Sequence, residues 1–165
     1  MNELDRFIEV WNYEADRSAK IMESLPANQY DFRPDAGGRS LGELAWHLAE
    51  IDGYIADGIA KGKVDFAPVA GLTRPREIAA LAPGYRRVHD EALARLRAAK
   101  VEDLDKSIPF ANRQISIRDL LWGATLHHAI HHRGQLCLMN RIAGGETPGI
   151  YGPNREQTAA MRQQA

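Results

Sequence analysis

An all-α fold, a four-helix bundle with long crossover loops and a short C-terminal tail, is predicted by three observations on this sequence. Apolar residues recur at helical spacing in four long segments. Ser40 with Glu43, and Ser116 with Asp119, carry the signature of capped helix starts. Proline or glycine stands where those segments stop, at Pro26, Gly62 and Gly144-Gly145.

The first segment, residues 2–24, sets Leu4, Phe7, Ile8, Trp11, Ala15, Ala19 and Met22 at helical spacing. Pro26 closes it, because the residue before a proline is pushed out of the helical region. A polar connector follows, with Phe32-Arg33-Pro34 and a turn at Gly37-Gly38. The second helix opens at Ser40 and carries Leu41, Leu44, Leu48, Ile51, Ile55 and Ile59 as its stripe. Gly62 ends it, and a loop containing Pro68 runs to Gly71. The third segment opens near Arg74-Pro75, since proline at a first helical position has no amide to lose. Ile78, Leu81, Tyr85, Val88, Ala92 and Leu96 keep the period, but Pro83-Gly84 interrupts it. An interior proline costs about 3 kcal/mol, so either a kink or two helices end to end is expected there. Residues 99–115 read as a loop with a short extended piece at residues 108–110. The fourth helix spans residues 116–143, and the tail holds Pro148, Tyr151 and a short last helix from Asn154.

The 165 residues fit one domain, residues 1–165. Net charge is −1, with both signs scattered along the chain, which excludes the basic stripe a nucleic-acid partner requires. No apolar run approaches the ~18 residues of a membrane span, and no basic-then-apolar leader is present. The single Cys137 can form no internal disulfide, so a reducing cytoplasm is the expected location.

Chemistry concentrates in the histidines. Four of the six stand in the run HHAIHHRGQL: His127, His128, His131 and His132. Residues four apart share a helix face, so the run holds two pairs, His127 with His131 and His128 with His132. The apolar stripe drawn through Leu121, Ala124, Gln135, Met139 and Ile142 passes His128 and His132, which favours that pair facing inward and leaves both registers open. A buried histidine must satisfy both ring nitrogens, and neutral imidazoles converging on a divalent metal do so. His47, at the edge of the second helix's stripe, can supply a third nitrogen. Three histidines with one open position suit zinc, and imidazoles also suit nickel or iron. His89 reads as an ordinary core or surface histidine.

The connector Phe32-Arg33-Pro34, SLGELAWHLAEID at residues 40–52, HHAIHHRGQL at 127–136 and RIAGGETPGIYGP at 141–153 together resemble the DinB/YfiT-like metal-binding four-helix bundles. The resemblance covers almost the whole chain. It implies His47, His128 and His132 as the metal ligands, a homodimer, and a divalent-metal enzyme acting on a small-molecule substrate. The implied chemistry is activation of a low-molecular-weight thiol for S-transfer or isomerisation. Beside such a site Arg133 and Tyr151 are candidates for substrate contact, against a salt-bridging residue and a packing anchor. Glu50, one turn beyond His47, is a candidate hydrogen-bond acceptor or base, against a solvated helix face. The rival readings are a metal-binding protein without turnover and a metal-dependent hydrolase. Other metal classes fail on spacing: no Glu stands three residues before any histidine, and HExxH is absent.

Overall fold

The computed structural model describes residues 1–164. Helix α1 spans Glu3–Glu23, with Asn2 and Asp5 closing a capping box at its start. Leu4, Phe7, Trp11, Ala15, Ala19 and Met22 are buried along it, so the apolar stripe is the packed face. Helix α2 spans Leu41–Lys61 between the Ser40–Glu43 capping box and Gly62, whose φ of 76° gives the left-handed stop that glycine adopts freely. The connector between them is seated by Tyr30, whose hydroxyl donates to the Pro75 carbonyl at 2.7 Å. Arg33 also pairs with Glu43 at 2.8 Å.

The third segment starts later than its sequence suggests. Pro75 lies outside any helix, a single 3-10 turn covers Ile78–Ala80, and α3 spans Leu81–Leu96. Pro83 is thereby the third residue of α3, where a first-turn amide has no helical partner to lose. No interior kink is needed. Gly84 lies under Trp46, and a Cβ there would stand 2.8 Å from the indole ring. Trp46 is fully buried and donates its ring N–H to the Leu72 carbonyl at 3.1 Å.

A second 3-10 turn, Val101–Asp103, leads into an antiparallel hairpin of β1 (Ser107–Phe110) and β2 (Arg113–Ser116). Its register pairs Ser107 with Ser116 and Phe110 with Arg113. The extended piece expected at 108–110 is therefore half of a hairpin whose other strand fell in the expected loop. Val64 pairs with Phe110, which lays the loop after α2 against this hairpin.

The last long helix has three parts in sequence. Helix α4 (Ile117–Asp119) opens on the Ser116 cap, a π-helical segment spans Leu120–His127, and α5 spans His128–Ile142. In the wider turn the Thr125 hydroxyl bonds the carbonyl five residues back, on Leu120, at 3.0 Å. The buried face of α5 runs through Ala129, Arg133, Leu136, Met139 and Asn140. That corrects the stripe drawn from sequence: Gln135 and Ile142 are exposed and Ala124 half-buried, because two polar residues, Arg133 and Asn140, occupy the inward line. Gly144, at φ 88°, stops the helix, and α6 (Arg155–Gln163) starts at the Asn154–Gln157 capping box.

Helix α2 packs chiefly on α3, with the π segment and α5 along its other side, while α1 packs on α3 and α5. The result is the expected all-α bundle with one added hairpin. Among the described residues no helix is long and apolar enough to cross a membrane.

Candidate metal centre

Three imidazoles meet where α2 passes the start of α5. His47 stands on α2 between the buried Leu44 and Ile51; His128 opens α5, and His132 lies one turn on. One ligand atom from each of the three lies within 4.8 Å of the others, and these form the one such group of His, Cys, Asp or Glu among the described residues. The ring centroids of His47 stand 5.5 Å from His128 and 4.8 Å from His132. Nε2 of His128 faces Nε2 of His132 at 2.6 Å.

The far side of two of the three rings sets their tautomer. Nδ1 of His47 is 3.1 Å from Glu50 Oε2, and Nδ1 of His132 is 2.7 Å from Gln135 Oε1. Both partner oxygens only accept, so each Nδ1 must carry the proton and each Nε2 the lone pair. The Ala124 backbone lies close to the His128 ring. Where the π segment hands over to α5, the His128 amide donates to Gly123, five residues back, and to Thr125. Burial holds the His128 imidazole below its ordinary pKa, with His47 adding to the effect. Burial likewise brings His132 down to about 4. These two rings are therefore neutral at neutral pH, the form that binds metal.

This donor set fits a divalent ion. With metal–nitrogen bonds of about 2.05 Å in tetrahedral geometry, ligand nitrogens stand roughly 3.3 Å apart. The His128–His132 pair must open slightly from 2.6 Å, and each spacing lies within side-chain adjustment. Three imidazoles leave one tetrahedral position open.

The remaining candidates fall in different places. Glu50 is at the cluster, bonded to His47. Arg133 and Tyr151 line none of the cavities that His47, His128 or His132 borders. The Arg133 guanidinium is buried, 2.5 Å from Glu14 Oε2 and bonded to the Glu14 carbonyl and the Tyr151 hydroxyl. It ties α1, α5 and the tail together. His127 and His131 lie outside the three-histidine group; the inward facing expected of the other pair holds only in part, since His132 is half-buried but His128 is exposed. Cys137 is half-buried against the core, and burial raises its thiol pKa, which fits packing rather than ligation. His89 is buried with both ring nitrogens engaged, by Asp52 at 2.8 Å and Asn12 at 3.0 Å. Sequence reasoning missed Gln135, although it stands three residues after His132 as Glu50 stands three after His47.

Three openings border the cluster, the widest of them, about 1050 Å³, running along His127, His128 and His131. An apolar groove of about 380 Å³ beside His132 is bordered by Leu44, Leu138, Met139 and Ile142. A smaller cavity of about 160 Å³ opens on His47 and His128 and is walled by Tyr54, Phe66 and Phe110. Arg39 borders the latter two.

A family model described as the DinB superfamily matches residues 11–136. The uncharacterized protein YrdA of Bacillus subtilis (strain 168) is 31% identical over 163 residues, covering 94% of this chain and 92% of YrdA. A DinB-like protein from Bacillus cereus ATCC 10987 has a similar crystal structure, with a TM-score of 0.72 and 27% identity over 88% of this chain and 95% of that one. A DinB-like protein from Bacillus subtilis, YjoA, matches in fold with the same TM-score at 22% identity, over 91% of this chain and 99% of that one.

Proposed function

The chain belongs to the DinB superfamily, and on that premise we propose that His47, His128 and His132 hold one divalent metal ion, zinc first, in a thiol-dependent transferase or isomerase. The observation that carries this reading is the convergence of three imidazoles, two of which are hydrogen-bonded through Nδ1 on the other side. A metal in this site would supply Lewis acidity and lower the pKa of a thiol in the open position.

The chain's own residues supply the rest. Glu50 fixes the His47 ring and strengthens it as a donor, and Gln135 does the same for His132. The apolar wall of Tyr54, Phe66 and Phe110 restricts water on the side where an electrophile would lie. In the transfer itself a carbon–sulfur bond forms as the carbon–leaving-group bond breaks. The leaving group takes that electron pair, and the thiol proton goes to solvent.

The test begins with metal content of untagged protein by elemental mass spectrometry, alongside His47→Ala, His128→Ala and His132→Ala. About one equivalent in the parent and loss in each variant is expected for a three-ligand site. Loss only on changing His127 or His131 sinks the ligand assignment. Loaded protein is then offered a model electrophile with and without small thiols. Turnover only with thiol supports the transferase. Thiol-independent hydrolysis that rises with pH through about 7 points instead to an activated water. No turnover with metal retained leaves a metal-binding protein without catalysis.

A further inference from the structure

We propose that the cavity between α2, the Val64–Phe66 loop and the hairpin is a subsite for an organic monocarboxylate with a single aryl body, its carboxylate held by Arg39. The proposal rests on the metal reading only in placing the ligand's reactive end toward the histidines.

Size is the first argument. A volume of about 160 Å³ is close to the ~150 Å³ of an apolar cavity that takes up one benzene ring. The walls are the second. Tyr54 and Phe66 stand edge-on with centroids 5.7 Å apart, and Phe66 and Phe110 do so at 5.6 Å. Ile51 and Ile55 of α2 also line the cavity. The three rings pack on one another and form a continuous aromatic wall along one side of the cavity, a surface on which an aryl guest can pack.

Phe66 itself is not explained by the core. It is 49% exposed and holds a left-handed backbone, φ 54°, which non-glycine residues seldom adopt. A large apolar side chain left half in water at a strained position is what a ligand wall looks like before its ligand arrives. The loop is fixed there by the Val64 amide, which donates to Pro109 of the hairpin at 2.8 Å.

Charge gives the head group. Arg39 borders the cavity, and no carboxylate lies within salt-bridge distance of it among the described residues. The other charged wall residue, Glu50, is already bonded to His47. One free guanidinium beside one engaged carboxylate matches a single negative charge better than a phosphate dianion, and its planar fork fits a carboxylate.

Phenylacetate is the probe, titrated by calorimetry and by protein NMR into zinc-loaded and metal-free protein. Saturable binding is expected in both, with Arg39→Gln and Phe66→Ala each weakening it by about tenfold or more. Acetate, lacking the ring, and 2-phenylethanol, lacking the charge, are expected not to saturate. Both substituted positions are exposed, so the variants keep the fold, checked by circular dichroism. Unchanged affinity in Arg39→Gln overturns the proposal, as does binding that needs zinc but not Arg39, which would put the carboxylate on the metal. Preference for phenyl phosphate over phenylacetate overturns the monocarboxylate assignment. If no zinc binds but the metal-free protein retains Arg39- and Phe66-dependent binding, the subsite stands and the metal reading falls.

Discussion

Replacing Arg133 with methionine keeps most of the side-chain volume and removes the charge, which separates a structural role from a substrate contact. Its guanidinium is 2.5 Å from Glu14 Oε2, and the two side chains are 3% and 10% exposed. Without the arginine, the Glu14 carboxylate stays buried with the Tyr151 hydroxyl, at 2.6 Å, as its remaining partner. Breaking a buried pair from one side costs about 3–5 kcal/mol, chiefly because an uncompensated charge is left behind. In a chain of this length each kcal/mol lowers Tm by roughly 2–4 °C, so Arg133→Met should melt roughly 6–20 °C lower. Thermal unfolding followed by circular dichroism reads that directly, and metal content measured below the transition should not change. Glu14→Gln combined with Arg133→Met should recover part of the loss, since no charge is then stranded. Tyr151→Phe should cost about 1 kcal/mol, one hydrogen bond. A melting point within about 2 °C of the parent, together with lost turnover, would refute the reasoning and return Arg133 to the substrate.

Three further outcomes follow from the same geometry. Glu50→Ala should lower metal affinity about 10- to 100-fold in a chelator competition while one equivalent still binds at saturation; unchanged affinity removes Glu50 from the site. Below pH 6.5 the metal-free protein should lose stability: His128 and His132 are held below that value in the fold by burial, His132 at about 4, so the unfolded chain takes up their protons first. Stability therefore falls with pH across the window from 6.5 to about 4, and His132→Ala should flatten that slope in urea titrations at several pH values. Gly84→Ala sets a methyl group against the Trp46 ring and should cost about 1–3 kcal/mol, read as a lower urea midpoint with an unchanged slope.

What could be read from the sequence was what short-range chemistry decides. Ser40 and Ser116 cap helices because a side-chain oxygen three residues before a free amide needs little else. The His128–His132 pairing is likewise a local fact of helical spacing. Its meeting with His47 is long-range, and the motif resemblance pointed to it where periodicity left two registers open. The inward line of α5 was misread because Arg133 and Asn140 sit on it, and only Glu14, Ser24 and Thr147 make those polar groups acceptable there. Pro83 was expected to disturb a helix interior; the chain instead starts α3 two residues before it, so the position is harmless. The hairpin's second strand was hidden because Arg113-Gln114-Ile115-Ser116 carries one apolar residue, too few to show alternation.

The π segment could not have been found that way, and it bears most directly on the centre. A sequence of leucine, tryptophan, alanine and threonine at residues 120–127 is compatible with an ordinary α-helix. In that geometry the His128 amide would occupy the Ala124 carbonyl. The wider turn moves the amide to Gly123 and Thr125, and His128 stands with its Nε2 facing that of His132. Glu50 and Gln135 fix the other two rings through Nδ1. The place where His128 enters the centre thus depends on one extra residue in a helical turn, backbone that no motif records.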